Sequence, residues 1–76
     1  MLDWLLDRLA DLKEPEDRRA EAEQIMREAG KWPLRLSDAE RLLTRQVREY
    51  AYRPDLTQVF SSLVKVVQNE MSGRDD

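Results

Sequence analysis

The side chains that most enzymes use for acid–base, nucleophilic or metal chemistry are largely missing from this sequence. It contains no histidine and no cysteine, which removes the commonest general base, the thiolate nucleophile and the usual transition-metal ligands. Catalysis would have to rely on carboxylates, serines, tyrosines and lysines. The sequence also lacks a phosphate-binding loop, a dinucleotide fingerprint and an EF-hand loop, and it has only two glycines. We therefore expect a protein that is not an enzyme and that uses no cofactor.

Carboxylates at helical spacing are the remaining candidate metal ligands. They form two groups, Glu21 with Glu23 and Asp3 with Asp7 and Asp11. Each spacing gives an open row of like charges on a helix, and not an enclosing cage of oxygen atoms. Every acidic residue is also explained by a hydrated surface. We therefore predict no metal site.

Trp4 does not follow the apolar pattern of the first residues. The leucines from Leu2 to Leu12 recur at helical spacing, and at about 100° per residue Trp4 lies nearly opposite them. A rigid aromatic ring bordered by charge is typical of protein–protein hot spots. The predicted partner-binding surface consists of Trp4, Asp3, Asp7 and Asp11. The alternative is that Trp4 packs against a neighbouring helix or lies at a frayed helix end.

Charge is unevenly distributed along the chain, whose formal net charge is −3. Residues 1–30 carry nine acids and five bases, a net charge of −4, whereas residues 31–53 carry six bases and three acids, a net charge of +3. The remainder has a net charge of −2. Such an uneven charge distribution indicates which partners a protein can bind. The acidic first part could bind a basic surface on another protein, or it could simply be a solvated surface.

Three arginines form a basic row on the predicted third helix. Arg41, Arg45 and Arg48 lie within about 60° of one another, on the side away from the leucines. They could follow a phosphate backbone, and a helix, a short turn and a second helix resemble a helix-turn-helix in outline. However, the second helix offers no arginine, and nucleic-acid-binding domains are usually basic. Nucleic-acid binding through these arginines is the alternative function, and a solvated face is the other explanation.

Four helices are predicted to position these residues. Hydrophobic periodicity and helix-breaking residues place them at about 2–13, 15–29, 38–51 and 55–71, with a frayed tail over 72–76. Pro15 and Pro54 suit the first turns of the second and fourth helices. Ser37 followed by Glu40 has the spacing of a capping box, which predicts the start of the third helix.

These helices predict one all-α domain over residues 1–76. Two short N-terminal helices pack on a longer C-terminal helical hairpin, because short connections favour antiparallel neighbours. A chain of 76 residues without cysteine has a small core and no disulfides to supplement it. The predicted core consists of Leu5, Leu6, Leu9, Leu12, Ile25, Met26, Leu34, Leu36, Leu42, Leu43, Val47, Tyr50, Leu56, Val59, Phe60, Leu63, Val64 and Val67.

The function that we expect is that of a small non-enzymatic protein–protein interaction module. It would be an adaptor or inhibitor that occupies a surface on a larger partner. A third possibility is a homodimer that forms through apolar surface around Val66 and Met71. No apolar run approaches the roughly 18 residues needed to cross a bilayer, and the first ten residues do not have the pattern of a signal peptide. We therefore expect a cytoplasmic location and no membrane partner. No motif is specific enough to indicate a family.

Overall fold

The computed structural model describes residues 3–29 and 35–73, and this part of the chain contains four helices. They are α1 (Asp3–Ala10), α2 (Glu16–Ala29), α3 (Leu36–Glu49) and α4 (Pro54–Ser72). No strand occurs in these two ranges. The predicted fold class, a small all-α fold with two N-terminal helices packed on a C-terminal hairpin, is therefore confirmed.

The α3–α4 hairpin contains the most extensive helix–helix interface in the described part. Its helices are antiparallel, because Gln68 near the end of α4 donates a hydrogen bond to Glu40 near the start of α3 (3.2 Å). At the opposite end, Thr57 Oγ1 donates to the carbonyl oxygen of Tyr50 (2.6 Å). The ring of Tyr50 also lies 6.0 Å from that of Phe60. The antiparallel packing agrees with the prediction from the short connection between the two helices.

One hydrophobic cluster joins all four helices. Its buried members are Leu5 and Leu9 from α1, Ala22 and Met26 from α2, Leu36, Ala39 and Leu43 from α3, and Leu56, Val59, Phe60, Leu63 and Val67 from α4. Burying one large apolar side chain stabilises a fold by roughly 1.5–3 kcal/mol. Helix α4 therefore contributes most to the stability of the core, because it supplies more buried side chains than any other described helix.

The predicted core is confirmed at most positions and corrected at a few. Six of its members are only partly buried but pack against the cluster: Leu6, Leu12, Ile25, Val47, Tyr50 and Val64. Leu42 is also partly buried but does not belong to the cluster. Ala22 and Ala39 were not predicted and are completely buried, which is expected where small side chains let two helices approach closely. Leu34 lies outside the described residues.

Helix α1 ends earlier than the predicted range of 2–13. It ends at Ala10, and the chain then turns before α2. The guanidinium group of Arg19 donates hydrogen bonds to the carbonyl oxygens of Ala10 and Glu14. The bond to Ala10 satisfies a backbone acceptor that is otherwise left open at the end of α1. Leu12 reaches the core cluster from this turn, which explains why its spacing resembled that of a longer helix.

The capping box predicted from Ser37 is wrong. Helix α3 already begins at Leu36, and Arg35 is the N-cap residue, with an extended backbone (φ −79°, ψ 165°). The amide of Ala39 donates to the carbonyl oxygen of Arg35 (2.9 Å), which places Ser37 inside the first turn. The early start is explained by Leu36, which is buried from this position on the same side of the helix as Ala39.

The other helix boundaries agree with the predictions to within one or two residues. The helices predicted over 15–29 and 55–71 are observed as Glu16–Ala29 and Pro54–Ser72. Pro54 is the first residue of α4. Proline is tolerated there because an amide hydrogen at this position would have no acceptor within the helix. Ser72, predicted to fray, belongs to α4, while residues 30–34 and 74–76 lie outside the described part.

Gln46 is the buried polar residue of the described core. Its side chain is 2% exposed and lies in line with Leu43 and Tyr50 on the inner side of α3. Among the described residues, no donor lies within hydrogen-bonding distance of the fully buried Gln46 Oε1 atom. A buried acceptor without a partner costs roughly 1–3 kcal/mol. Gln46 therefore lowers the stability of the hairpin.

Replacing Gln46 with methionine should increase the free energy of unfolding by about 1 kcal/mol, because a side chain of similar shape removes the desolvated amide. Urea unfolding followed by circular dichroism measures this change, with an unchanged m-value. Gln24→Met is the matched control, because Gln24 is exposed and should change stability by less than about 0.5 kcal/mol. A destabilised Gln46→Met variant would contradict the assignment.

Candidate partner-binding surfaces

The acidic surface predicted on α1 is exposed at two of its four residues. Asp7 and Asp11 are exposed, and neither makes a side-chain hydrogen bond or ion pair with another described residue. Trp4 is partly buried and packs against the core cluster. Asp3 begins α1, but its side chain lies outside the described part. Trp4 therefore has a structural role, and its role in binding stays a prediction.

The arginine row on α3 lies entirely on the surface. Arg41, Arg45 and Arg48 are all exposed. Arg45 forms an ion pair with Glu49 (3.2 Å), whereas Arg41 and Arg48 form no side-chain hydrogen bond or ion pair with a described residue. These two arginines are seven residues apart, which is about 10 Å along a helix axis. Helix α3 thus presents two unneutralised positive charges about two turns apart.

A shallow groove between α3 and α4 borders these arginines, and the sequence analysis missed it. Its volume is about 270 Å³, and it is lined by Thr44, Val47, Ser61, Val64, Lys65 and Gln68. Val47 and Val64 are partly buried and supply its apolar surface. Thr44 follows Arg41 by three residues and precedes Arg48 by four, so both arginines are its neighbours on the helix surface.

Positive charge predominates around this groove. Lys65 is exposed and has no ion pair with a described residue, so it adds a third unneutralised cation to Arg41 and Arg48. A carboxylate, that of Glu40, also lies at the groove, where it accepts a hydrogen bond from Gln68 (3.2 Å). Cations therefore outnumber carboxylates at the rim, which favours a ligand that carries negative charge.

The outer side of α4 gave a sequence signal for this groove. In a chain with 38% charged residues, the polar side of α4 is uncharged apart from Lys65. Depletion of charge is a property of the buried centre of protein interfaces. The two valines of the groove were assigned to the core from their spacing, and their partial burial shows that they lie at its edge.

A smaller groove of about 190 Å³ lies between α1 and α2 and has a different character. It is lined by Leu6, Leu9, Ala10, Glu16, Arg19, Ala20 and Glu23. Arg19 binds backbone carbonyl oxygens there, and Glu23 is paired with Arg27 (3.2 Å). Most of its charged groups thus already have partners within the chain.

Tyr52 is the large apolar side chain that the described structure exposes most, at 74%. It lies in the turn between α3 and α4 and stacks on Tyr50, with ring centroids 6.0 Å apart. The sequence pattern offered Trp4, on α1, as the aromatic residue of a binding surface, whereas the most exposed aromatic side chain of the described residues lies in the α3–α4 turn.

A cluster of two arginines and two carboxylates joins α2 to the start of α4. Arg18 contacts Asp55 (2.7 Å) and Glu21 (3.0 Å), and Arg53 contacts Asp55 (3.2 Å) and Glu21 (3.4 Å). Each side chain is more than a third exposed, so water screens each pair and its contribution to stability is small. Because its charges neutralise one another, this cluster is structural.

Two of the carboxylates considered as metal ligands, Glu21 and Glu23, have other partners. Glu21 belongs to the cluster with Arg18 and Arg53, and Glu23 is paired with Arg27. In the ranges 3–29 and 35–73, no three side chains of histidine, cysteine, aspartate or glutamate converge in a way that could hold a metal ion.

Comparison with known proteins assigns no function to these surfaces. No family model, curated protein or solved structure matches the chain. The geometry and charge of the surfaces themselves are therefore the basis for inferring a function.

The contribution of the arginine–carboxylate cluster to stability depends on pH through Asp55. The hydrogen bond from the Arg53 guanidinium holds the pKa of Asp55 below its usual value, and the charges of Arg53 and Arg18 act in the same direction. The same hydrogen bond raises the pKa of Arg53. Because the pKa of Asp55 is lower in the folded than in the unfolded chain, its contribution to stability is present above about pH 4 and is lost as pH falls further.

Asp55→Asn should therefore lower the melting temperature at pH 7, and the difference from wild type should shrink as pH falls below about 4. Thermal unfolding from pH 7 to pH 2 measures this difference. Asp38→Asn is the control, because Asp38 is exposed and makes no ion pair with a described residue. A difference from wild type that stays constant across this pH range would contradict the assigned role of Asp55.

Proposed function

We propose that this chain is a small non-enzymatic protein-interaction module, an adaptor or regulator of a larger partner, and that it binds through the outer face of the α3–α4 hairpin. This binding face consists of the groove between α3 and α4 together with Arg41 and Arg48. The observation that carries the proposal is the combination of an open apolar groove with exposed cations that have no partner in the described structure.

The groove supports binding because its apolar surface is not covered by the chain's own helices. Val47 and Val64 reach both the core cluster and the groove. Covering such a surface would remove apolar area from water, which favours association by roughly 25 cal/mol per Å². An apolar centre with a polar rim is also the usual arrangement of protein–protein interfaces.

The composition supports binding rather than catalysis. The sequence has neither imidazole nor thiol groups. Within the described ranges, no hydrogen bond joins the side chains of Thr44, Ser61 or Lys65 to a carboxylate that could activate them as nucleophiles. We place the module in the cytoplasm, as the sequence suggested. No described helix is both long and apolar enough to cross a membrane.

Nucleic-acid binding is the second candidate, because Arg41, Arg45 and Arg48 are all exposed along one helix. Such a row could contact successive phosphates. An apolar groove has no role in a purely electrostatic contact with a phosphate backbone, however, and the neighbouring α4 contributes only Lys65 as a cation. A protein partner uses both features and is therefore favoured.

Photo-crosslinking in the native cells tests the proposal. A benzophenone amino acid is introduced at Lys65 on the groove rim, at Asp11 in the turn after α1, or at the exposed Gln24 on α2. We expect a light-dependent crosslink to a protein from position 65. Reversing the charge of Arg41 and Arg48 together to glutamate should abolish it, because the partner then meets like charge.

The matched control reverses the charge of Lys13 and Arg27, which are exposed residues away from the groove. It changes the net charge by the same amount and should leave the crosslink intact. Crosslinks from position 11 alone would assign binding to the acidic surface of α1 instead. Crosslinking to nucleic acid, or to nothing from any position, would contradict the proposed function.

A further inference from the structure

We infer that the α3–α4 groove binds an amphipathic helix of another protein, one that carries acidic residues on both sides of its apolar stripe. This inference rests on the proposed function and specifies the partner's chemistry. It depends on three observations: the hydrogen-bonding state of the groove walls, the length of the groove, and the positions of its cations.

The walls of the groove favour a helical ligand. Both walls are α-helices, whose backbone donors and acceptors are bonded within each helix. A bound segment therefore finds no exposed strand edge to pair with, and it must satisfy its own backbone groups when it leaves water. An α-helix does this, and helices that bind grooves present apolar residues at positions i, i+3 or i+4, and i+7.

The length of the groove defines how much of the ligand is bound. On α4 the lining residues run from Ser61 to Gln68, and on α3 the bordering residues run from Arg41 to Arg48. Each stretch spans seven residue steps, or about 10 Å. The bound part of the ligand is therefore about two to three helical turns, with Val47 and Val64 contacting its apolar stripe.

The cations predict where the ligand is acidic. Arg41 and Arg48 lie on the α3 side, so acidic residues seven positions apart on the ligand can face them at the same time. Lys65 lies on the α4 side and predicts an acidic residue on the opposite flank. Glu40 lies at the same end of the groove as Arg41, and its carboxylate already accepts a hydrogen bond from Gln68.

A second copy of this chain does not supply such a helix. Helix α1 is acidic on its exposed side, but its apolar residues Leu5 and Leu9 are buried in the chain's own core. Helix α2 likewise buries Ala22 and Met26. Neither apolar stripe can enter the groove of another copy without leaving the core of its own chain, so the occupant is a different protein.

Selection from a peptide library tests this inference on the full chain. A phage-displayed library of randomised 16-residue peptides is selected on the wild-type protein and depleted on the folded Arg41→Glu, Arg48→Glu variant. The enriched peptides should carry apolar residues at helical spacing with aspartate or glutamate on both flanks. They should bind the charge-reversed variant at least about tenfold more weakly, and more weakly as salt rises.

Nuclear magnetic resonance then locates the bound peptide. Backbone shifts of the wild-type protein should change along Thr44–Val47 and Ser61–Gln68, and the peptide should become helical. The Lys13→Glu, Arg27→Glu variant, with the same total charge as the selection variant, should keep wild-type affinity. Circular dichroism confirms that both variants are folded.

Several outcomes would overturn the inference. In the selection, these outcomes are no enrichment, or enrichment of basic or non-amphipathic peptides. In the binding experiments, they are shift changes confined to another face, or displacement of the peptide by duplex DNA. Sedimentation that shows the groove covered by a second copy would also overturn it. A crosslink from position 65 to a partner whose binding segment is not acidic would refute this inference while leaving the proposed function intact. Absence of a protein crosslink from position 65 when Arg41 and Arg48 are unchanged would refute both.

Discussion

Helix α4 buries five side chains against the other three helices, namely Leu56, Val59, Phe60, Leu63 and Val67. This apolar face is the constraint on which the rest of the structure depends, because an isolated helix as short as the eight-residue α1 is not stable in water. Helices α1 and α2 each bring two buried side chains to the cluster, and both pack on α4. The N-terminal helices are therefore ordered by the hairpin, and the two sides of the hairpin have different roles. The inner side forms the core, whereas the outer side borders an open groove.

The placement of charge follows the same division. Where α2 meets the start of α4, Arg18 and Arg53 are neutralised by Glu21 and Asp55, and at the end of α4 Arg8 is paired with Glu70 (3.1 Å). These pairs bridge elements that must pack against each other. On the outer face of α3, by contrast, Arg41 and Arg48 have no described partner. Charge that is left unneutralised beside an apolar groove adds no ion pair to the fold, and in the proposed function it binds a ligand of opposite charge.

Much of the fold could be predicted from the sequence, because the apolar spacing in each helix and the prolines at the starts of α2 and α4 are local signals. The failures arose where a distant residue decides the local structure. Helix α1 ends at Ala10, where Arg19 of the next helix binds the carbonyl oxygen, and Leu36 joins α3 because it is buried in the core. The binding face was harder to predict. Its arginines and the uncharged side of α4 were visible, but the groove exists only because antiparallel packing brings Val47 beside Val64. Spacing along one helix cannot show a contact between two.

Hydrogen exchange resolved residue by residue tests the central claim that the hairpin orders the rest of the chain. Amides within α4 near Phe60 and Leu63, and those of α3 near Leu43, should exchange slowest, at the rate of global unfolding. Amides of α1 should exchange at least about tenfold faster, because this short helix can detach while the hairpin stays folded. Protection in α1 equal to or greater than that in α4 would contradict the account, since it would show that the N-terminal helices do not depend on the hairpin for their order.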